Sequence, residues 1–402
     1  MTRYVIGYGS ERFDLDAAEG AEFEAFAPPA GMSPAHAEAA LREVLERPRG
    51  YPPLRDNVVP GDRVAIALDP DVPDPSRVLD VVTDILEGAG VEADAVTIVE
   101  AARHAGALVS GSRGEVTEVH DPGDRERLAY LATTKAGSRV YLNRTLTDAD
   151  VVVPVGFLRE DPLAGPHGPW SVLFPGLSDE ATRAAHRKSR ASGPHEASRK
   201  DADDEAFEVG WLLGSRFQIG IVPGEGGPSG FVAGLDEQVR DAGLAELSRA
   251  WSFRPEARAD LVIAGVGGPE GPGGLNDLVA ALVTAGRLVR HGGRIVALSQ
   301  VGGPLGPAMQ RLAGAGDSNP RDALRGHEAD PDHLMAEALA RVLGWADVYL
   351  LSGLAPDVVE DLSMIALERP EEVRRLASRA SSCLVVGHAD RVRGEVREGE
   401  LG

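Results

Sequence analysis

The chain is nearly without cysteine and lysine. Its one cysteine, Cys383, excludes an intrachain disulfide and any metal site built from a cysteine cluster. Cys383 stands in the apolar run SSCLVVG, which predicts a buried, inert thiol. Lysine occurs only as Lys135, Lys188 and Lys200, and the other basic residues are arginines. Chemistry that needs an amine nucleophile or a Schiff base therefore has three candidates. No apolar run approaches the roughly 20 residues needed to span a bilayer. The start, MTRYVIGYGSERFDL, has no apolar signal-peptide core, so a cytoplasmic protein is expected. There is no Walker A loop, no G-x-S-x-G and no H-E-x-x-H. The segment GVGGPEGPGG lacks the G-x-G-x-x-G spacing, and its prolines remove N–H donors that a phosphate cradle needs. It reads as a tight turn.

What the chain has in excess is negative charge. A formal net charge of −22 disfavours nucleic acid and anionic membrane surfaces as partners. The partner expected is a small-molecule substrate, and the sequence says nothing of oligomeric state. Hydrophobic content of 43% and charged content of 26% are those of an ordinary globular protein. A length of 402 residues exceeds one typical core and predicts two domains. The expected division is 1–250 and 251–402, with the last residues able to return to the first domain.

Strand and helix signals alternate along the chain. Residues 35–47 read as an amphipathic helix, and residues 63–68 as a buried strand ending at Asp69-Pro70. Residues 76–88 read as a helix, and 95–99, 116–120, 139–142 and 151–155 as strands. Residues 187–206 are polar and charged and read as an exposed excursion. A strand at 217–222 and a helical connection at 235–251 follow. The second half repeats the alternation: strands at 260–265, 294–298, 348–352 and 382–386, and helices at 275–289, 334–343 and 370–380. The fold class expected is α/β with mostly parallel sheets.

One loop stands out. Residues 156–186, GFLREDPLAGPHGPWSVLFPGLSDEATRAAH, leave a buried strand and combine Gly, Pro, two His, Asp and Trp. Loops at the carboxyl ends of such strands are where α/β proteins place ligands. His167 lies within this loop and His186 at its end. His104 follows another strand end, in TIVEAARHAG. A histidine in such a place can act as a general acid or base, since its charge changes near neutral pH.

The order of these pieces resembles the nickel-dependent lactate racemase family. The series runs Gly7-Tyr8-Gly9, Asp69 with Pro73-Asp74-Pro75-Ser76, TIVEAARH, then Ala136 to Arg144, Asp148-Ala149-Asp150, and Phe174-Pro175-Gly176. It continues through EAFEVGWLLGSRFQIGIV, VIAGVGGPEGPGGLNDLVAAL and LERPEEVRRLASRASSCLVVGHADRV, and so covers nearly the whole chain. The resemblance implies two α/β domains with an active-site cleft between them. It implies a nickel pincer nucleotide, a His that takes the proton of a substrate hydroxyl, and hydride transfer on the cofactor.

Residue by residue, His104 matches the first catalytic His and Asp69 the acid at the first strand end. The family's D-x-T-R-P falls on Asp69-Pro70-Asp71-Val72-Pro73, with Val72 in place of Arg. Its loop motif, G…PH…G-x-S-G-G-x-K…PG, puts Asp161 where the second catalytic His stands and Ser171 where the cofactor-bearing Lys stands. Pro175 and Gly176 keep the closing pair. Asp277 and Ala280 replace the Gln and Lys that face the substrate carboxylate, and Asp277 and Trp170 are the substrate-binding candidates. His186 matches the metal ligand, one residue closer to Pro175-Gly176 than the family has it.

Three cations are thus missing at family positions. This implies a substrate that is neutral or cationic, and a cofactor held without the usual covalent bond, held by another lysine, or not used. The expectation is a racemase- or epimerase-type enzyme on a small hydroxylated metabolite other than lactate, with His104 as acid/base and Asp161 or His167 opposite. A lyase, hydrolase or cofactor-free isomerase using the same residues is the alternative, and a non-catalytic binding protein is the third.

Overall fold

The computed structural model describes residues 2–17, 22–101, 113–163, 165–192, 195–268, 271, 273–316 and 319–397, with the backbone alone at 188–203 and 321. The fold is α/β with mostly parallel sheets, divided into two compact units. One comprises Pro29–Arg159 and Pro166–Leu247, the other Met1–Pro28, Glu160–Gly165 and Ser248–Gly402. Among the described residues no helix is long and apolar enough to cross a membrane.

In the first of these units six strands lie in the order Gly227–Leu235, Phe217–Gly224, Val151–Phe157, Val64–Leu68, Val96–Ala101, Val116–His120. Only the first two pair antiparallel. The sequence of the central strand, Val-Ala-Ile-Ala-Leu, builds two unlike faces because side chains alternate across a strand. Val64, Ile66 and Leu68 join a core with Leu41 and Leu45 of the helix Pro34–Glu46 and with Val78, Leu79, Val82 and Leu86 of the helix Pro75–Gly88. Ala65 and Ala67 form the other face, under Leu146, Val172, Leu173 and Leu177.

The small alanines let the chain at 169–177 settle close to the sheet. On the neighbouring strand, a Cβ added at Gly156 would stand 2.4 Å from the Pro169 nitrogen. Backbone cannot yield as a side-chain tip can. Gly156→Ala is therefore expected to lower stability by about 3 kcal/mol, measured by urea unfolding.

The second unit has an all-parallel sheet in the order Ile365–Ala366, Asp347–Leu351, Val289–Leu298, Ala259–Gly265, Ser382–Val386, Glu22–Phe26. Chain order alone would keep the first residues with the first half. Pairing of Cys383 with Phe23 and of Val385 with Ala25 puts them with the last third instead. The hairpin of Arg3–Tyr8 with Glu11–Asp16 adds Ile6, Phe13 and Leu15 to a core with Leu261, Ile263, Val296 and Cys383. Cys383 is fully buried, and burial pushes its thiol up to about 12. The buried thiol expected from the sequence is what the fold contains.

Two elements go beyond the sequence reading. Residues 187–206, read as an exposed excursion, are helical across most of their length, within Glu180–Ser192 and His195–Leu213; Ala, Glu, Arg and Lys are good helix formers even where nothing apolar recurs. The strand Gly227–Leu235 was hidden by its Gly-Pro-Ser-Gly start, and it forms because Phe217–Gly224 offers it an antiparallel partner.

The glycine-rich segment behaves as a tight turn in its described part. Gly268 and Gly271 exchange both backbone hydrogen bonds, at 3.2 and 2.9 Å.

Candidate functional site

Strand order in the first unit reverses beside its central strand. From Val64–Leu68 the chain goes to Val96–Ala101 and Val116–His120 on one side, then to Val151–Phe157 and Phe217–Gly224 on the other. The crevice outside the carboxyl ends at such a reversal is where open α/β sheets bind ligands. Asp69 is the first residue past Val64–Leu68. Its amide donates to the Val155 carbonyl at 2.9 Å, so the backbone stays in strand register and the side chain falls on the alanine face.

The Asp69 carboxylate is buried, with 1% of the residue exposed. Oδ1 accepts from the Asp71 amide at 3.0 Å and Oδ2 from the Phe157 amide at 3.1 Å. His167 Nε2 lies 3.3 Å from Oδ2, and Arg159 Nη1 lies 3.9 Å from it. The same Arg159 nitrogen is 2.6 Å from Asp71 Oδ2. Burial alone would raise the Asp69 pKa, but the His167 hydrogen bond, the Arg159 charge and the Asp71 amide outweigh it. Asp69 is held ionised, well below the ordinary carboxylate range. With Nε2–H donating to Asp69, Nδ1 is the ring nitrogen left for another partner. The His167 side chain is 26% exposed.

The loop carrying these groups is anchored by its apolar residues. Leu158 is fully buried and fills space left by Gly220 and Gly243, whose added Cβ atoms would come within 3.0 and 2.8 Å of it. Its amide donates to Ile221 at 2.8 Å. Arg159 is thus the first residue past a fixed point. On the far side Trp170 is buried and stacks on Phe207 at 5.8 Å, and the Arg240 guanidinium sits 4.5 Å from the Phe207 ring. The buried Trp170 Nε1 has no hydrogen-bond partner among the described residues.

The other sequence candidates are placed as follows. The Ser171 amide donates to Gly168 at 2.9 Å, and a Cβ at Gly176 would stand 2.9 Å from the Ser171 carbonyl oxygen. The Pro175 carbonyl accepts from Ser178 Oγ at 2.7 Å. His186 sets its ring at right angles to Phe174, 5.7 Å between centroids. Asp161 belongs to the other unit, where it accepts from the Leu163 amide at 2.8 Å. Asp277 lies in the first turn of Leu275–Leu288 and accepts from the Gly274 amide at 2.7 Å, a carboxylate at the positive end of a helix dipole. His104 lies outside the described residues.

Of the candidates, the fold brings Asp69 and His167 into contact. It also supplies Arg159, which sequence reasoning passed over. The arginine missing at Val72 has no counterpart there because Val72 is buried in the main core. The signal for Arg159 was a basic residue directly after the apolar Gly-Phe-Leu of the strand end, ahead of Glu160 and Asp161.

Comparison with known proteins agrees with this architecture. A family model described as the lactate racemase N-terminal domain matches residues 8–198. The lactate racemase apoprotein from Thermoanaerobacterium thermosaccharolyticum has a similar structure, with a TM-score of 0.79 at 20% identity, covering 99% of this chain and 100% of that one. A Thermotoga maritima protein solved by structural genomics gives a TM-score of 0.67 at 12% identity, covering 92% and 100%. At these identities the likeness is one of fold. No curated protein matches the sequence.

Proposed function

The chain belongs, through residues 8–198, to the lactate racemase N-terminal domain family, and on that premise we propose that it is a racemase- or epimerase-type enzyme acting on a small hydroxylated metabolite. What carries this reading is the Asp69–His167 pair at the strand-order reversal, at 3.3 Å. His167 would take the proton of a substrate hydroxyl at Nδ1 and return it, while Asp69 fixes the ring and stabilises it once protonated. His104, matched to a catalytic His by sequence order, would be the second acid/base.

Lactate racemases depend in general on a nickel pincer nucleotide. The residue at the matched position, Ser171, does not fit its covalent attachment. Ser171 offers a hydroxyl, which cannot form the amide that a lysine forms. Lys135 is exposed beside the strand Leu128–Thr133. Among the described residues no three His, Cys, Asp or Glu side chains converge as metal ligands. The proton transfer is accordingly assigned to this chain's own residues, and no step is assigned to the nucleotide.

The charge of the cluster bears on the substrate. Two carboxylates, Asp69 and Asp71, face one guanidinium, Arg159. These fixed charges sum to a net negative, which suits a neutral or cationic substrate better than a simple carboxylate. Ser171 also favours a second reading, a cofactor-free isomerase using the same pair.

The test has two parts. Single enantiomers of neutral polyols, amino alcohols and lactate are incubated with protein co-expressed with the cofactor-synthesis enzymes, and products are read by chiral chromatography. The same protein is analysed by native mass spectrometry and for metal. Inversion of a neutral or cationic compound by protein of unmodified mass is expected. Fast racemisation of lactate by a covalently modified protein would overturn both the substrate class and the attachment reading.

A further inference from the structure

The first unit has a cavity of about 340 Å³ at the opposite end of its sheet from Asp69. Val64 and Thr97 line it, at the amino ends of the strands Val64–Leu68 and Val96–Ala101. Asp69 lies five residues beyond Val64, or roughly 16 Å along the strand. The volume is that of a site for a small metabolite. None of the described candidates for the active site lines it.

Among the described residues its walls carry three guanidiniums and four carboxylates. Some of these charges are matched within the fold. Arg63 pairs with Asp150 at 3.4 Å, and Arg127 lies 3.7 Å from Glu118. Glu118 also accepts from Asn143 Nδ2 at 2.7 Å and from Thr145 Oγ1 at 2.6 Å. Arg144, Asp148, Asp94 and Glu126 have no ion pair among the described residues.

Arg144 and Asp148 stand four residues apart on the short helix Arg144–Asp148, the spacing at which opposite charges meet on a helix. They do not pair. Arg144 bonds the backbone instead: Nε donates to the Glu126 carbonyl and Nη2 to the Leu128 carbonyl, each at 3.0 Å. Two carbonyls fix the guanidinium plane without neutralising it, and three of its five N–H groups remain. The cavity thus keeps an oriented cation and an anion apart. A carboxylate can take the guanidinium fork, and an ammonium can take Asp148. A simple anion would face the unpaired acids, and a simple cation would leave Arg144 unmatched.

We propose that this cavity binds a free α-amino acid, with its carboxylate on Arg144 and its ammonium on Asp148. Among the described residues the unpaired acids outnumber the unpaired arginine, which sets the order of preference: cationic side chains above neutral, neutral above acidic. The site is separate from the Asp69–His167 pair, so it does not depend on the proposed reaction.

The test is isothermal titration calorimetry of the purified full chain with L-lysine, L-alanine and L-glutamate. Cadaverine, which is lysine without its carboxylate, and propionate serve as probes of one sign. L-lysine is expected to bind most tightly, with cadaverine and propionate at least about tenfold weaker. Asp148 is exposed and has no partner to lose. Asp148→Asn should therefore keep the melting temperature and weaken L-lysine at least about tenfold. Arg144→Gln should weaken L-lysine but spare cadaverine. His167→Gln should leave L-lysine binding unchanged. Absence of saturable L-lysine binding overturns the proposal, as does binding undiminished in Asp148→Asn or lost in His167→Gln. Cadaverine binding as tightly as L-lysine overturns the carboxylate assignment to Arg144, and L-glutamate binding best overturns the order of preference.

Discussion

His167→Gln is expected to reduce turnover by about 10²- to 10⁴-fold, the range lost with a general acid/base, while the melting temperature stays close to that of the wild type. The side chain is part exposed and meets Asp69 through Nε2. A glutamine amide can still donate to Asp69, so the buried carboxylate keeps a partner. What it lacks is a nitrogen lone pair of suitable basicity. The loss should therefore fall on kcat, with KM little changed, because removing a group that acts only in the transition state leaves ground-state binding intact. The measurement is steady-state kinetics with whichever compound the chiral screen identifies, alongside thermal unfolding. Turnover within about threefold of wild type would remove His167 from the mechanism.

Asp69→Ala is expected to have the largest effect on stability, about 3–5 kcal/mol. The carboxylate accepts the Asp71 and Phe157 amides and faces Arg159 and His167, all from a position with 1% exposure. Alanine would leave two amides without acceptors at the meeting of two central strands. The effect should depend on pH in a definite direction. The folded-state pKa of Asp69 is lowered from its ordinary value of 3.8, so the unfolded chain binds this proton more readily than the folded one. Stability from the charged group is then present in full above the ordinary value and is lost as pH falls below it. Urea unfolding of wild type and Asp69→Ala should differ most near neutral pH and differ less below about pH 4. A gap that widens on acidification would mean that Asp69 is not held ionised.

The sheet strands were legible where apolar residues alternate or run together, as in Val64–Leu68, Ala259–Gly265 and Ser382–Val386. Short-range pattern suffices there because both faces are buried. It failed for Gly227–Leu235, whose early residues are half-buried and small, so the partner strand rather than local preference decides their structure. It also left the helices across residues 187–206 unassigned, because no apolar stripe recurs there. At the site, Asp69 and His167 were each legible from their places after strand ends. Their contact was not, because it depends on two loops meeting over the alanine face of a central strand. Arg159 was missed for a related reason: the search followed the position at Val72, while the fold supplies a cation from a neighbouring strand end.

The edge strand Glu22–Phe26 has a consequence in time. Its partner, Ser382–Val386, lies near the other end of the chain. At about 5–20 residues per second, synthesis separates the two by roughly 20–70 s. Throughout that interval Glu-Phe-Glu-Ala-Phe is a strand-forming segment with its backbone unpaired, the kind of edge on which nascent chains associate. Its two glutamates alternate with its aromatic and alanine residues, and charge at that spacing opposes stacking of one copy on another. The acidity of this segment thus reads as protection during the wait on the ribosome, before the sheet it completes exists.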